Sequence, residues 1–140
     1  MGVGCRSFYG ATSRAVLTLV LACAACAASK PRIKSLSRGN AACASGPAVK
    51  DQPFSVAQAQ RALIEAEETA SACSQAAKKT AGRVLMTWAN GGCIAHAHFH
   101  LEDTGLTDRD LECIVNAFFA AHTDPFSGEP VSVAKAMLAE

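Results

Sequence analysis

Residues 82–102 read Gly-Arg-Val-Leu-Met-Thr-Trp-Ala-Asn-Gly-Gly-Cys-Ile-Ala-His-Ala-His-Phe-His-Leu-Glu, and this stretch decides the fold. Gly82 to Trp88 is rich in strand formers. Asn90-Gly91-Gly92 is a strong hairpin turn, because Asn and Gly accept the positive φ that tight turns require. Cys93 to Glu102 then supplies the partner strand. Within it Ala95, Ala97, Phe99 and Leu101 alternate with His96, His98 and His100. Successive side chains of a strand point to opposite faces, so the pattern predicts one apolar face and one histidine face.

Amphipathic segments flank the hairpin. Ser55 is an N-cap candidate with Gln58 three residues on, opening a helix that runs toward Lys79. Leu63, Ala66, Ala70, Cys73 and Ala77 recur at steps of three and four, which makes one helical stripe. Thr107 caps a second helix, Asp108 to about His122, with Asp108, Asp110 and Glu112 at its positive end and Leu111, Ile114, Val115, Phe118 and Phe119 as its buried face. After a turn at Pro125, Gly128 and Pro130, Val131-Ser132-Val133 alternates as a last short strand. The order helix, strand, strand, helix, strand predicts a small α+β domain over residues 55–140. Its two helices would pack on one face of a three-stranded antiparallel sheet.

Upstream, residues 1–28 have the parts of an export signal: Arg6 and Arg14, then the apolar run Ala15 to Ala28 ending in small residues. A run of 14 residues is too short to span a bilayer permanently, which takes about 20. Val20-Leu21-Ala22 before Cys23 resembles a bacterial lipobox, and Ala24-Ala25 before Cys26 offers a second lipidation position. Lipidation of Cys26, or cleavage just after it, leaves Cys43, Cys73, Cys93 and Cys113, an even set, whereas lipidation of Cys23 leaves five. Residues 29–54 are rich in Ser, Gly, Ala, Pro and Lys without apolar periodicity, and read as a disordered tether. That tether carries five cations (Lys30, Arg32, Lys34, Arg38, Lys50) and no acid before Asp51, so it suits anionic headgroups beside a lipid anchor. From Asp51 onward six cations face twelve acids. The near-neutral formal charge of +1 thus hides a basic segment and an acidic domain. A chain without a basic excess does not read as a nucleic-acid binder.

The series of a helix ending in Cys73, Gly82-Arg83-Val84 opening a strand, an Asn-Gly turn, a second strand, a capped helix with Cys113-Ile114, then Asp124-Pro125-Phe126 and Val131-Ser132-Val133 resembles a known family. It is similar to the AgmX/PglI C-terminal-type domain of myxobacterial envelope proteins, which is related in fold to the TonB C-terminal domain. The resemblance covers residues 56–136. Ser74 stands where the family carries an aromatic residue, and Pro125-Phe126 where it carries Phe-Pro. The resemblance implies a periplasmic or surface domain that binds other envelope proteins and has no activity of its own.

Two helices on one sheet face would make Cys73 and Cys113 neighbours able to form a disulfide, a pairing that the resemblance also implies. Cys43 and Cys93 remain by elimination, although a cysteine in a tether can equally join another chain or stay free. His96, His98 and His100 share a strand face and form a candidate Zn²⁺ or Cu²⁺ site, to which Glu102 could add a carboxylate. The bland alternative is a solvated sheet face. Cys93 with His96 or His98 is the only Cys/His couple that would suit nucleophilic chemistry, and an oxidised Cys93 would be inert. Glu65, Glu67 and Glu68 read as a solvated helix face. Together these features predict a non-enzymatic, exported envelope protein of the periplasm or outer membrane, carried on a lipid anchor. It would offer a sheet edge or its histidine face to partner proteins. A periplasmic metal-binding module is the alternative.

Overall fold

The structure, a computed structural model, describes residues 32–43, 46 and 49–138. The expected export signal, residues 1–28, and the lipidation candidates Cys23 and Cys26 lie outside the described residues. The elements are β1 (Ile33–Gly39), α1 (Val56–Ser71), the single turn α2 (Gln75–Lys78), β2 (Gly82–Trp88), β3 (Ile94–Glu102), α3 (Asp108–Phe119) and β4 (Val131–Met137). The hairpin forms where the sequence places it, with β2 and β3 antiparallel and in register from Gly82 opposite Leu101 to Thr87 opposite His96. Gly92 in its turn has φ 85°, and a Cβ there would lie 2.2 Å from the Thr123 carbonyl oxygen. Both the backbone conformation and the close approach require glycine.

The fold is α+β, with one antiparallel sheet in the order β1-β3-β2-β4. Val84, Met86 and Trp88 of β2 and Ala97, Phe99 and Leu101 of β3 are buried on one sheet face. Ala59, Leu63, Ala66 and Ala70 of α1 and Ile114, Val115 and Phe118 of α3 complete the same core. Phe99 and Phe118 meet edge to face at 5.7 Å between ring centroids. A disulfide from Cys73 to Cys113, Cα–Cα 6.0 Å, ties the end of α1 to α3. Much of this core is alanine, which contributes little area per residue, so cross-links matter to a domain of this size.

The sheet has four strands, where the sequence predicts three. The extra strand, β1, comes from residues 29–54, the expected disordered tether. It pairs along β3 from Ile33 opposite Glu102 to Gly39 opposite His96. Its pattern gave no warning, because only Lys34 and Leu36 are even partly buried. The strand is recruited by the open backbone groups of β3 more than by apolar burial. Other described residues of the segment are also docked. Cys43 is disulfide-bonded to Cys93, the Gln52 carbonyl accepts from the Ser127 amide, and Phe54 packs on Phe126 at 4.9 Å and Trp88 at 6.3 Å between centroids.

Three boundaries also differ. The helix expected to run to Lys79 stops at the Ala72 cap, and Ser74 restarts it by accepting from the Ala77 amide. The second helix ends at Phe119, so His122 lies beyond it, in an isolated bridge with Cys93. The last strand has seven residues, because β2 offers it a partner from Trp88 opposite Val131 to Gly82 opposite Met137.

Candidate functional site

Among the described residues the helices cover one sheet face and leave the other open. Register places four short columns there: Ser35, Ser37 and Gly39 on β1; His96, His98 and His100 on β3; Arg83, Leu85 and Thr87 on β2; Ser132, Ala134 and Ala136 on β4. All three histidines are exposed, as the alternation predicts. The outer columns hold only small residues, so the imidazoles stand as a row above them. The Ser35 hydroxyl is 3.2 Å from His100 Nδ1. The His96 ring lies over Gly39, where a Cβ would come within 3.2 Å of its Cε1. His98 and His100 flank a shallow depression with Arg83 and Leu85. Among the described residues no three His, Cys, Asp or Glu side chains are gathered closely enough to hold a metal ion. His122 is not part of the column, and Glu102 continues it opposite Ile33.

The second open feature is the β4 edge. Glu102 donates its amide to the Ala81 carbonyl, which sets the alternation of the β2–β3 ladder and directs the backbone groups of Gly82, Val84, Met86 and Trp88 to β4. In β4 the groups of Val131, Val133, Lys135 and Met137 therefore face β2, and those of Ser132, Ala134 and Ala136 face outward. Leu138, next in that outward series, gives its amide to Glu67 Oε1. No strand pairs with this edge among the described residues. Beside it runs a groove between α1 and β4, lined by Leu63, Ile64, Val133 and Leu138. Ile64 is 49% and Leu138 76% exposed, so the groove presents apolar surface to solvent. Glu67 closes one end of the groove by pairing with Lys135. It is not simply part of a solvated helix face. Its partners are remote in sequence, and no local pattern announces them.

The β1 edge is different in kind. Lys34 bonds the Leu106 carbonyl and pairs with Asp103 at 3.7 Å, and Arg38 is a second cation on the strand. Charged side chains are a common guard against edge pairing. A further depression lies behind β1, lined among others by Leu36, Arg38, Leu111, Glu112, Val115 and Phe119.

At the start of α3 the Asp110 carboxyl is held below the usual aspartate range. The Thr107 backbone amide contributes most, followed by the Thr107 hydroxyl and the Ser74 hydroxyl. Thr107 in turn accepts from the Asp110 amide, completing a capping box. Cys93 is bonded to Cys43, so its sulfur is not a thiol that could be paired with His96 or His98. No helix among the described residues is long and apolar enough to cross a membrane. Compared with known proteins, the chain matches no family model, and neither a curated protein nor a solved structure is significantly similar to it.

Proposed function

We propose that the chain is an exported, non-enzymatic binding protein of the cell envelope, whose α+β domain takes an extended segment of another envelope protein as an added strand along β4. The observation that carries this reading is the coincidence of a seven-residue edge, unpaired among the described residues, with an apolar groove at its side. An added strand gains main-chain hydrogen bonds from Ser132, Ala134 and Ala136. Its alternate side chains fall either into the groove at Leu63, Ile64 and Leu138 or beside the small residues of the open face. The partner segment should therefore carry apolar side chains at every second position.

Two disulfides support an oxidising compartment, the periplasm or the outer membrane surface. A lipid on Cys26, or on Cys23, would hold the protein at a membrane, with Lys30 and Arg32 near anionic headgroups. The order helix, strand, strand, helix, strand over residues 56–137 supports membership of the AgmX/PglI C-terminal type, TonB C-terminal-like, with β1 as an addition to that pattern.

The test places a photo-crosslinking residue at Ala136 in the native host, identifies the crosslinked segment, and titrates that segment as a peptide. The expected result is slowed amide exchange at Ser132, Ala134 and Ala136 upon binding. A peptide that binds without protecting these amides, or the absence of any crosslink at Ala136, would overturn the reading.

A further inference from the structure

We infer that the histidine column is a chelating site for a divalent transition-metal ion, with His98 and His96 as its two protein ligands and Cu²⁺ as its best occupant. This site is separate from the β4 edge and does not rest on the strand-addition reading. Same-face neighbours on a strand lie about 6.7 Å apart, so two imidazoles turned toward each other can share one ion at nitrogen–metal distances of about 2.0–2.1 Å. Both rings are exposed. The residues opposite them in register are Ser37 and Gly39 on β1 and Leu85 and Thr87 on β2, none of them charged, and Arg83 borders His98 only on its side toward His100.

The third histidine is placed less favourably. His100 stands opposite Arg83 in the β2–β3 register, and its Nδ1 is engaged by Ser35. A divalent ion between His98 and His100 would sit beside the guanidinium and be repelled by it. The ion is therefore expected at the His96/His98 end. With two protein ligands, the remaining coordination positions go to water, which makes this an exchangeable site open to solvent. Imidazole donors and a flexible ligand number favour Cu²⁺ over Zn²⁺, following the general order of divalent affinities.

The test is a titration of the disulfide-bonded full chain carrying Cys5→Ser, Cys23→Ser and Cys26→Ser, amino terminus acetylated, with CuCl₂ against glycine as competing chelator. Binding is followed by calorimetry and electron paramagnetic resonance. Wild type should take one equivalent with a two-nitrogen signature. Both His98→Ala and His96→Ala should bind roughly tenfold or more weakly, because the second ligand no longer acts at high effective concentration. His100→Ala and His122→Ala should bind as wild type does. All four positions are exposed, and circular dichroism confirms that each variant is folded. Equal copper affinity in wild type and His98→Ala overturns the inference, and so does a loss confined to His100→Ala.

Discussion

Asp110 is a single residue whose role has a clear pH signature. Its carboxylate accepts from the Thr107 amide and hydroxyl, and these bonds favour the charged form in the folded state. A carboxyl depressed on folding stabilises the protein above its unfolded value of about 4, and this contribution is lost as pH falls through the folded value. Asp110→Asn should therefore melt below wild type at neutral pH, with the gap closing as thermal melts are taken progressively below pH 4. A gap that persists unchanged at pH 2 would show that the charge is not what matters. Thr107 was legible as an N-cap and Asp110 as an acid at the positive end of the helix, whereas their reciprocal bonding emerged only in the structure. Glu67 was not legible. Its partners Lys135 and Leu138 are brought to it only when β4 pairs with β2 and α1 lies over the sheet.

At the level of the element, β4 makes a sharp pair of predictions because adjacent residues have opposite backbone duties. Val133 gives its amide to β2, whereas the Ala134 amide faces outward. Val133→Pro removes a ladder bond and should cost about 2–3 kcal/mol in urea unfolding. Ala134→Pro should cost under about 1 kcal/mol, since proline is tolerated on the free side of an edge strand. Only Ala134→Pro would then be a folded protein with a blocked edge, and equal losses in the two variants would contradict the assigned register. The hairpin, both capped helices and the histidine face were readable from periodicity and turn chemistry. The break at Ala72–Ser74 was not, because the stripe of Leu63, Ala66, Ala70, Cys73 and Ala77 runs through it without interruption. The full length of β4 was also hidden. Its later residues, Ala134, Lys135 and Ala136, carry no strand-forming side chains, and β2 holds them by backbone pairing.

Across the whole molecule, the two disulfides divide the work of holding the chain. Cys73–Cys113 joins the helices over the core, and Cys43–Cys93 fastens the segment after β1 to the hairpin turn. Replacing Cys73 and Cys113 together by Ser should lower global stability by about 2–4 kcal/mol. Replacing Cys43 and Cys93 should chiefly release β1, so hydrogen exchange should rise at the β1 amides before it rises in β2 or α3. Uniform acceleration across the sheet would show that β1 is integral to the cooperative unit. The docking of β1 also changes the reading of the chain upstream. With Cys26 lipidated, only residues 27–32 would remain as linker before the first strand, not the whole of 29–54. By itself the sequence determined the α+β class, the hairpin, the two capped helices and which strand face carries the histidines, because each follows from local periodicity and turn chemistry. Only the tertiary structure decided the fourth strand, the partner of Cys43, the role of Glu67 and the groove beside β4. Those features depend on backbone pairing and contacts between residues far apart in the chain, which leave no periodic trace in the sequence.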